Sequence, residues 1–182
     1  TDFAEPAEAL ALGSSGDKMY MLAGKTRRLQ IWHKNGELLG IVPVTAPLSP
    51  GDTAFGADGL FYHNTEGLSE DSLIVAIDAS GTIRHRLGVV ARRDILQQQD
   101  SLRRALARGE IPAVLQNSVL VATGPDKRVY AVHRTMPLLK CYQNGILLYE
   151  RVLEMSELHD IRQAVEIRNR LLDVPASYIP LS

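Results

Sequence analysis

The feature that most constrains the fold of this chain is a sequence repeat, a unit of four short strands and two turns that occurs three times. In each copy an aspartate-containing turn precedes an apolar strand that carries an aromatic residue, and a turn with glycine precedes the outer strand. The first turns contain Asp17, Asp58 and Asp126, and the later turns end at Gly36, Gly81 and Gly145. Such repetition sets the architecture, because each copy is one supersecondary unit that packs on its neighbours.

The turns of each copy are typical of hairpins. Asn35-Gly36 and Asn144-Gly145 are the strongest short-range hairpin signals, because both central positions of a type I′ turn need a positive φ. Short runs of apolar and β-branched residues flank these turns and supply the strands. The sequence therefore predicts three four-stranded antiparallel meanders.

The spacing of the copies predicts an insertion. Asp17 and Asp58 are 58 − 17 = 41 residues apart, whereas Asp58 and Asp126 are 126 − 58 = 68 apart, which leaves 68 − 41 = 27 extra residues. These residues carry a helical pattern that begins at an Asp94 cap and stops at Gly109. A second apolar stripe at helical spacing follows the third copy and ends before Pro175. We therefore predict two helical insertions.

Four-stranded units at this period, with a D-G or D-K turn before the apolar strand and an N-G or S-G turn before the outer strand, resemble six-bladed β-propellers of the NHL-type and related bacterial groups. The resemblance implies an all-β fold in which residues 1–182 form a single partial β-propeller domain. Its parts would be blade 1 at about 7–46, blade 2 at about 51–89, the helical insertion at 90–116, blade 3 at about 117–155 and a helical segment at 156–174.

Three blades cannot close a ring, since propellers have about 4 to 8. Two interpretations stay open: the chain is about half of a longer polypeptide, or two copies form a homodimer that closes a six-bladed ring with three blades from each. An open arc would leave unpaired strand edges and two exposed apolar blade faces, which soluble proteins avoid.

The composition excludes several classes of function. The formal charge is -1, with 20 basic and 21 acidic residues, so no overall positive field would attract nucleic acid. Cys141 is the single cysteine, which excludes an internal disulfide, and we expect a buried strand thiol. No apolar run has the roughly 18 to 20 residues of a membrane span. We expect a soluble protein, and the compartment stays open between cytoplasmic and secreted or periplasmic.

No catalytic signature stands out in the chain. Gly24-Lys25-Thr26 matches the end of a phosphate-binding loop, but Met19 stands where the pattern needs its first glycine, and the tripeptide joins two strands. The five histidines lack the helical spacing of a metal-binding pair. We therefore predict no catalytic residue, no metal site and no cofactor.

Polar side chains collect near the exits of the second strands. In the propellers that the chain resembles, these exits lie on the face where ligands usually bind. The loop from Thr65 to Asp71 is also the enlarged one, and functional loops are often the enlarged loops of a rigid scaffold. The candidate ligand-binding residues are Lys25, Arg27, His63, Asn64, Glu66, Glu70, Asp71, His133 and Arg134. The alternative is that they are solvated loop residues.

We predict a non-catalytic binding or scaffold module, part of a six-bladed β-propeller that presents loops to a protein or small-molecule partner. The alternative hypothesis is a metal-dependent enzyme that resembles lactonase-like or lyase-like propellers, which hold a divalent ion at the channel mouth. That resemblance implies calcium or zinc as cofactor and His63, Glu66, Asp71 and His133 as candidate ligands. Half of the ligands of the ring would then lie outside this chain.

Overall fold

The computed structural model describes residues 9–48, 51–68, 71–91 and 113–154, which contain twelve strands and one short helix. The first sheet comprises β1 (Ala9–Ser15), β2 (Lys18–Ala23), β3 (Arg28–His33) and β4 (Leu38–Pro43). The second comprises β5 (Thr53–Phe55), β6 (Phe61–Asn64), β7 (Ser72–Ile77) and β8 (Ile83–Val89). Helix α1 (Ala113–Gln116) precedes the third sheet, which comprises β9 (Val119–Thr123), β10 (Arg128–His133), β11 (Leu138–Gln143) and β12 (Ile146–Val152).

The strands of each sheet are antiparallel and follow chain order, so the three predicted meanders are confirmed. The first strands lie side by side, because β1 contacts β5 and β5 contacts β9. Each sheet therefore extends outward from its first strand, as the blades of a β-propeller do. We call the three sheets the first, second and third blades, and we call the interface between neighbouring blades a seam.

The two predicted helices, at 94–109 and 156–174, lie outside the described residues. Helix α1, at the end of the predicted insertion 90–116, has four residues. In the described part of the chain, no helix has the length and apolar character that crossing a membrane requires.

One predicted turn differs from the structure. Asn144 and Gly145 both have positive φ, of 51° and 85°, and form the predicted two-residue turn. At Asn35-Gly36 only the glycine has positive φ, because the loop is one residue longer: the His33 N–H bonds the Glu37 carbonyl across it. This turn is therefore a type I turn followed by a left-handed glycine, and its type I′ assignment was wrong.

The two middle strands of the second blade, β6 and β7, are buried on both faces because this blade has a neighbour on each side. All six residues of β7 are buried, which explains its continuous apolar run Leu73 to Ile77. One core fills the seam between the first and second blades around Leu22, Phe61 and Ile77. The other fills the seam between the second and third blades around Tyr62 and Val129. Among the described residues, no blade packs on the other face of the first blade or on that of the third, and we call these two faces the open faces.

The repeated tyrosines occupy the same place in each blade. Tyr20, Tyr62 and Tyr130 pair across the first hairpins with Gly13, Ala54 and Ala122. Tyr20 stacks on Phe55 of the second blade, with ring centroids 5.8 Å apart. The buried Tyr62 packs in the next seam, and its hydroxyl donates to Asp58 Oδ2 at 2.6 Å. Burial and this carboxylate together raise the pKa of Tyr62.

We expect Tyr62→Phe to lower the free energy of unfolding by about 1 kcal/mol, because it removes the hydrogen bond to Asp58 but keeps the ring in the seam. Urea unfolding followed by circular dichroism measures the change. Tyr20→Phe is the matched control, since the Tyr20 ring contributes a stacking contact that phenylalanine keeps. An equal loss in both variants would contradict the role of the Asp58 bond.

Candidate functional site

The loops after the second strands lie at one end of the blades. They follow β2, β6 and β10 and lie beside the starts of β1, β5 and β9, the innermost strands of the blades. The Asn64 N–H bonds the Asp52 carbonyl at 2.8 Å, and the Arg134 N–H bonds the Ser118 carbonyl at 3.1 Å. We call this the loop end, made of residues 24–27, 65–68, 71 and 134–137. The opposite end carries the aspartate-containing turns.

Five candidate residues lie at the surface of the loop end. Lys25, Arg27, Asp71 and Arg134 are exposed, and Glu66 is half-buried. Glu70 lies outside the described residues. The loops of the first and third blades thus present positive charge, and the loop of the second presents negative charge.

Glu66 adopts a backbone conformation that is unfavourable for its residue type. Its φ is 52° and that of Gly67 is 65°, and the Leu68 N–H closes the turn on the Thr65 carbonyl at 2.9 Å. A left-handed non-glycine residue costs about 1 to 2 kcal/mol. The buried Thr65 holds the turn, because its hydroxyl accepts the Gly67 N–H at 3.0 Å and donates to the Ser72 carbonyl at 2.6 Å. Strain that the surroundings maintain is typical of functional loops.

His63 lies in the interior rather than on the loop surface. It is 0% exposed, it shares a face of β6 with Phe61, and its Nδ1 lies 2.8 Å from Thr53 Oγ1. Burial lowers the pKa of His63 to about 4, although the negative charge of Asp52 acts in the opposite direction. The imidazole is therefore neutral near neutral pH.

Two buried asparagines join the second and third blades. The Asn64 amide donates to the Leu73 carbonyl at 2.9 Å and the Asn117 carbonyl at 3.1 Å, and its oxygen accepts the Val119 N–H at 3.4 Å. Asn117 in turn accepts the Ala91 N–H at 2.7 Å and donates to the Ala91 carbonyl at 3.4 Å. These bonds hold together the two positions at which the chain leaves the second blade and enters the third. We call them the asparagine clamp.

The innermost strands are also joined by polar contacts. Asp52 Oδ2 accepts the Val121 N–H at 2.7 Å, and Thr123 donates its hydroxyl to the Phe55 carbonyl at 2.8 Å. The roles of Asp52 and Asn117 were not foreseen from the sequence. The Asp52 bond spans 69 residues and the Asn117 bond spans 26, so no local pattern marks them.

His133 anchors helix α1 to the third blade. It is buried, and its Nδ1–H donates to the Gln116 carbonyl at 2.8 Å. Its Nε2 is buried with no hydrogen-bond partner among the described residues. Burial lowers the pKa of His133, which the bond to Gln116 partly opposes. The neighbouring Thr135 hydroxyl donates to the Leu115 carbonyl at 2.9 Å.

The structure does not bring the two candidate histidines together. His63 lies on the face of its blade that packs on the first blade, and His133 lies on the face that packs on the second. Across the described ranges, no three His, Cys, Asp or Glu side chains are placed to hold one metal ion. The single cysteine, Cys141, is buried as expected.

A cavity of about 820 Å³ lies away from the loop end. It extends from the open face of the first blade, at Leu12, Met19 and Trp32, to Phe55 and the turn at Gly56 in the second blade. The turn at Gly56 joins the first strand of the second blade to its second strand, and such turns lie opposite the loop end. The cavity and the charged loops therefore occupy opposite ends of the blades.

No family model matches the chain, and no curated protein matches it. Among solved structures, virginiamycin B lyase from Staphylococcus aureus is similar with a TM-score of 0.50 and 11% identity, covering 86% of this chain and 45% of the lyase. The computationally designed Ika4 protein has a TM-score of 0.46 and 12% identity, covering 84% of this chain and 77% of that chain. A putative 6-phosphogluconolactonase from Bacteroides fragilis has a TM-score of 0.37 and 12% identity, covering 79% and 38%.

The chain spans less than half the length of the lyase and lactonase structures. Identities this low show the fold alone. The arrangement of the three sheets and the similarity to the lyase agree on that fold, and the described chain is a set of three β-propeller blades.

Proposed function

We propose that this chain is a non-catalytic binding module, three blades of a six-bladed β-propeller of the NHL-type or a related bacterial group, whose loop end binds a protein or small-molecule partner. The observation that carries the proposal is the combination of exposed charged loops with a scaffold fixed by buried hydrogen bonds. Lys25, Arg27, Asp71 and Arg134 are exposed, while the asparagine clamp that joins the second and third blades is buried.

The backbone of Glu66 supports this proposal. Asparagine or glycine would occupy its left-handed position at lower cost, yet the chain has a carboxylate there. Arg27 and Lys127 also have a positive φ, so the support for a binding role of Glu66 comes from this backbone together with its position in the loop end. The charges around it have both signs, so the partner that fits best is one that itself carries both, such as a polypeptide segment or a zwitterionic small molecule.

We expect Glu66→Asn to weaken partner binding by at least about tenfold while leaving the free energy of unfolding unchanged or up to about 1 kcal/mol higher. Asparagine tolerates the left-handed turn and lacks the charge. The measurement is capture from an extract of the source cells on immobilised protein, with quantitative mass spectrometry of what is retained.

Arg134→Glu should have the same effect on binding, because it reverses an exposed charge of the neighbouring loop. Lys34→Glu is the matched control, since Lys34 is an exposed cation in a turn at the opposite end. The proposal expects one partner to be retained by the wild type and by Lys34→Glu and lost by the two loop variants. Equal retention by all four proteins would contradict it.

The enzyme alternative predicts a different result in metal binding. A lactonase-like or lyase-like site would need convergent ligands, and its candidates His63 and His133 lie in different seams. We expect calorimetric titration with calcium and zinc to show no stoichiometric binding, and a chelator to leave the melting temperature unchanged. Stoichiometric binding of either ion, lost on chelation, would contradict the non-catalytic proposal and favour the alternative.

A further inference from the structure

The open faces of the first and third blades are the two halves of one missing seam. We propose that two copies of this chain associate head to tail, so that the open face of the first blade of each copy packs on the open face of the third blade of the other. The proposal rests on the six-bladed ring of the proposed function and adds its partner and its contacts.

The open face of the first blade carries residues in places that are buried in the other two blades. The strand registers assign Met19 the place of Phe61 and Val129, and assign Trp32 the place of Ile77 and Tyr142. Phe61, Val129, Ile77 and Tyr142 are all buried in a seam. Met19 is 40% exposed, so this face has the side chains of a seam but no neighbouring blade among the described residues.

The open face of the third blade carries the opposite half of a seam. The same registers assign Tyr130 the place of Tyr62, and assign Leu139 the place of Ile74. Tyr62 and Ile74 are buried against the third blade. In the described part of the chain no blade packs on Tyr130 and Leu139, although both are half-buried side chains with a large apolar surface.

One pair of residues identifies how the two faces meet. In the existing seam Val121 bonds Asp52 at 2.7 Å, so their positions are adjacent. By register Leu12 takes the place of Val121 in the first blade, and Leu120 takes the place of Asp52 in the third. These leucines are 72% and 44% exposed. In a head-to-tail pair each Leu12 lies against the Leu120 of the other copy.

A second copy is the occupant we favour because the chain itself carries the surface that complements each open face. The described blades of two copies add up to six, within the 4 to 8 of closed propellers, so this head-to-tail contact closes and does not grow into a fibre. Closure removes both apolar faces from water at once.

The first measurement is the solution mass of the wild-type chain by light scattering, and we expect twice 20.0 kDa. Leu12→Asp should shift the equilibrium to single copies, because it places a charge in the seam. Leu68→Asp is the matched control, since Leu68 is 49% exposed but belongs to the loop end, and it should leave the mass unchanged.

The second measurement tests the register. The double variant Leu12→Cys/Leu120→Cys should form a covalent dimer on oxidation or with a short bis-maleimide, whereas each single variant should not, since their own positions do not meet. A wild-type mass of one copy, a mass above two copies, or equal cross-linking in single and double variants would each overturn the proposal. None of these outcomes bears on Glu66→Asn capture, so the failure of this pairing is distinguishable from failure of the loop-end function.

Discussion

Replacing Asn64 with alanine should lower the free energy of unfolding by about 3 kcal/mol, because the change leaves buried polar groups of two blades without a hydrogen-bond partner. Asn64 is fully buried, and its side chain bonds the carbonyls of Leu73 and Asn117 and the N–H of Val119. Alanine leaves the Val119 N–H and the Asn117 carbonyl in an interior where water does not replace the lost partner. Urea denaturation at neutral pH measures the loss.

Asn35→Ala is the control for this prediction. Its Oδ1 accepts the Glu37 N–H at 3.0 Å in an exposed turn, where water can take over the bond. We expect a loss of no more than about 0.5 to 1 kcal/mol. If the two alanine variants lose the same stability, the asparagine clamp does not hold the second and third blades together.

Acidification should destabilise the protein through His63. Its pKa in the folded protein is about 4, below the ordinary 6.5, so the folded state resists the proton that the unfolded chain accepts. The stabilising contribution is therefore complete above the unfolded pKa and is lost as the pH falls from 6.5 towards 4. Between about pH 7.5 and 4.5 this one group should cost about 2 to 3 kcal/mol of the free energy of unfolding.

The measurement is urea unfolding at both pH values for the wild type and for His63→Gln, which should lose about 2 kcal/mol less on acidification. His85→Gln changes an exposed histidine of the same blade and should keep the wild-type loss. Burial alone would raise the pKa of Asp78, but hydrogen bonds from Ser80, Thr82 and Arg84 lower it to about 2. The contribution of Asp78 to the free energy of unfolding is therefore lost only below the pH range compared.

If His63→Gln loses as much stability on acidification as the wild type, the loss does not come from His63.

The fold was predictable because the signals that define it are local. Turn glycines and short apolar runs act within a few residues, and they located all three meanders. Even the error at Asn35-Gly36 was local, since one additional loop residue changes the turn type without moving the strands.

The candidate site was less predictable because its residues depend on contacts between blades. His63 and Asn64 end a strand next to a polar loop, which indicates exposure when the second blade is considered alone. They are buried because that blade is covered on both sides, and Asn64 bonds a carbonyl 53 residues away. No pattern within one repeat contains that information. Lys25, Asp71 and Arg134, whose exposure depends only on their position in a loop, lie at the surface.

The asparagine clamp has a consequence for how this chain tolerates change. Asn117 bonds Ala91 directly. The end of the second blade and the start of the third are therefore held together by these bonds and not only by the connection between them. The cost of closing a longer connection between fixed ends grows only slowly with its length. We therefore expect a change in the length of the connection 92–112 to cost little in closure entropy while the bonds between Asn117 and Ala91 remain.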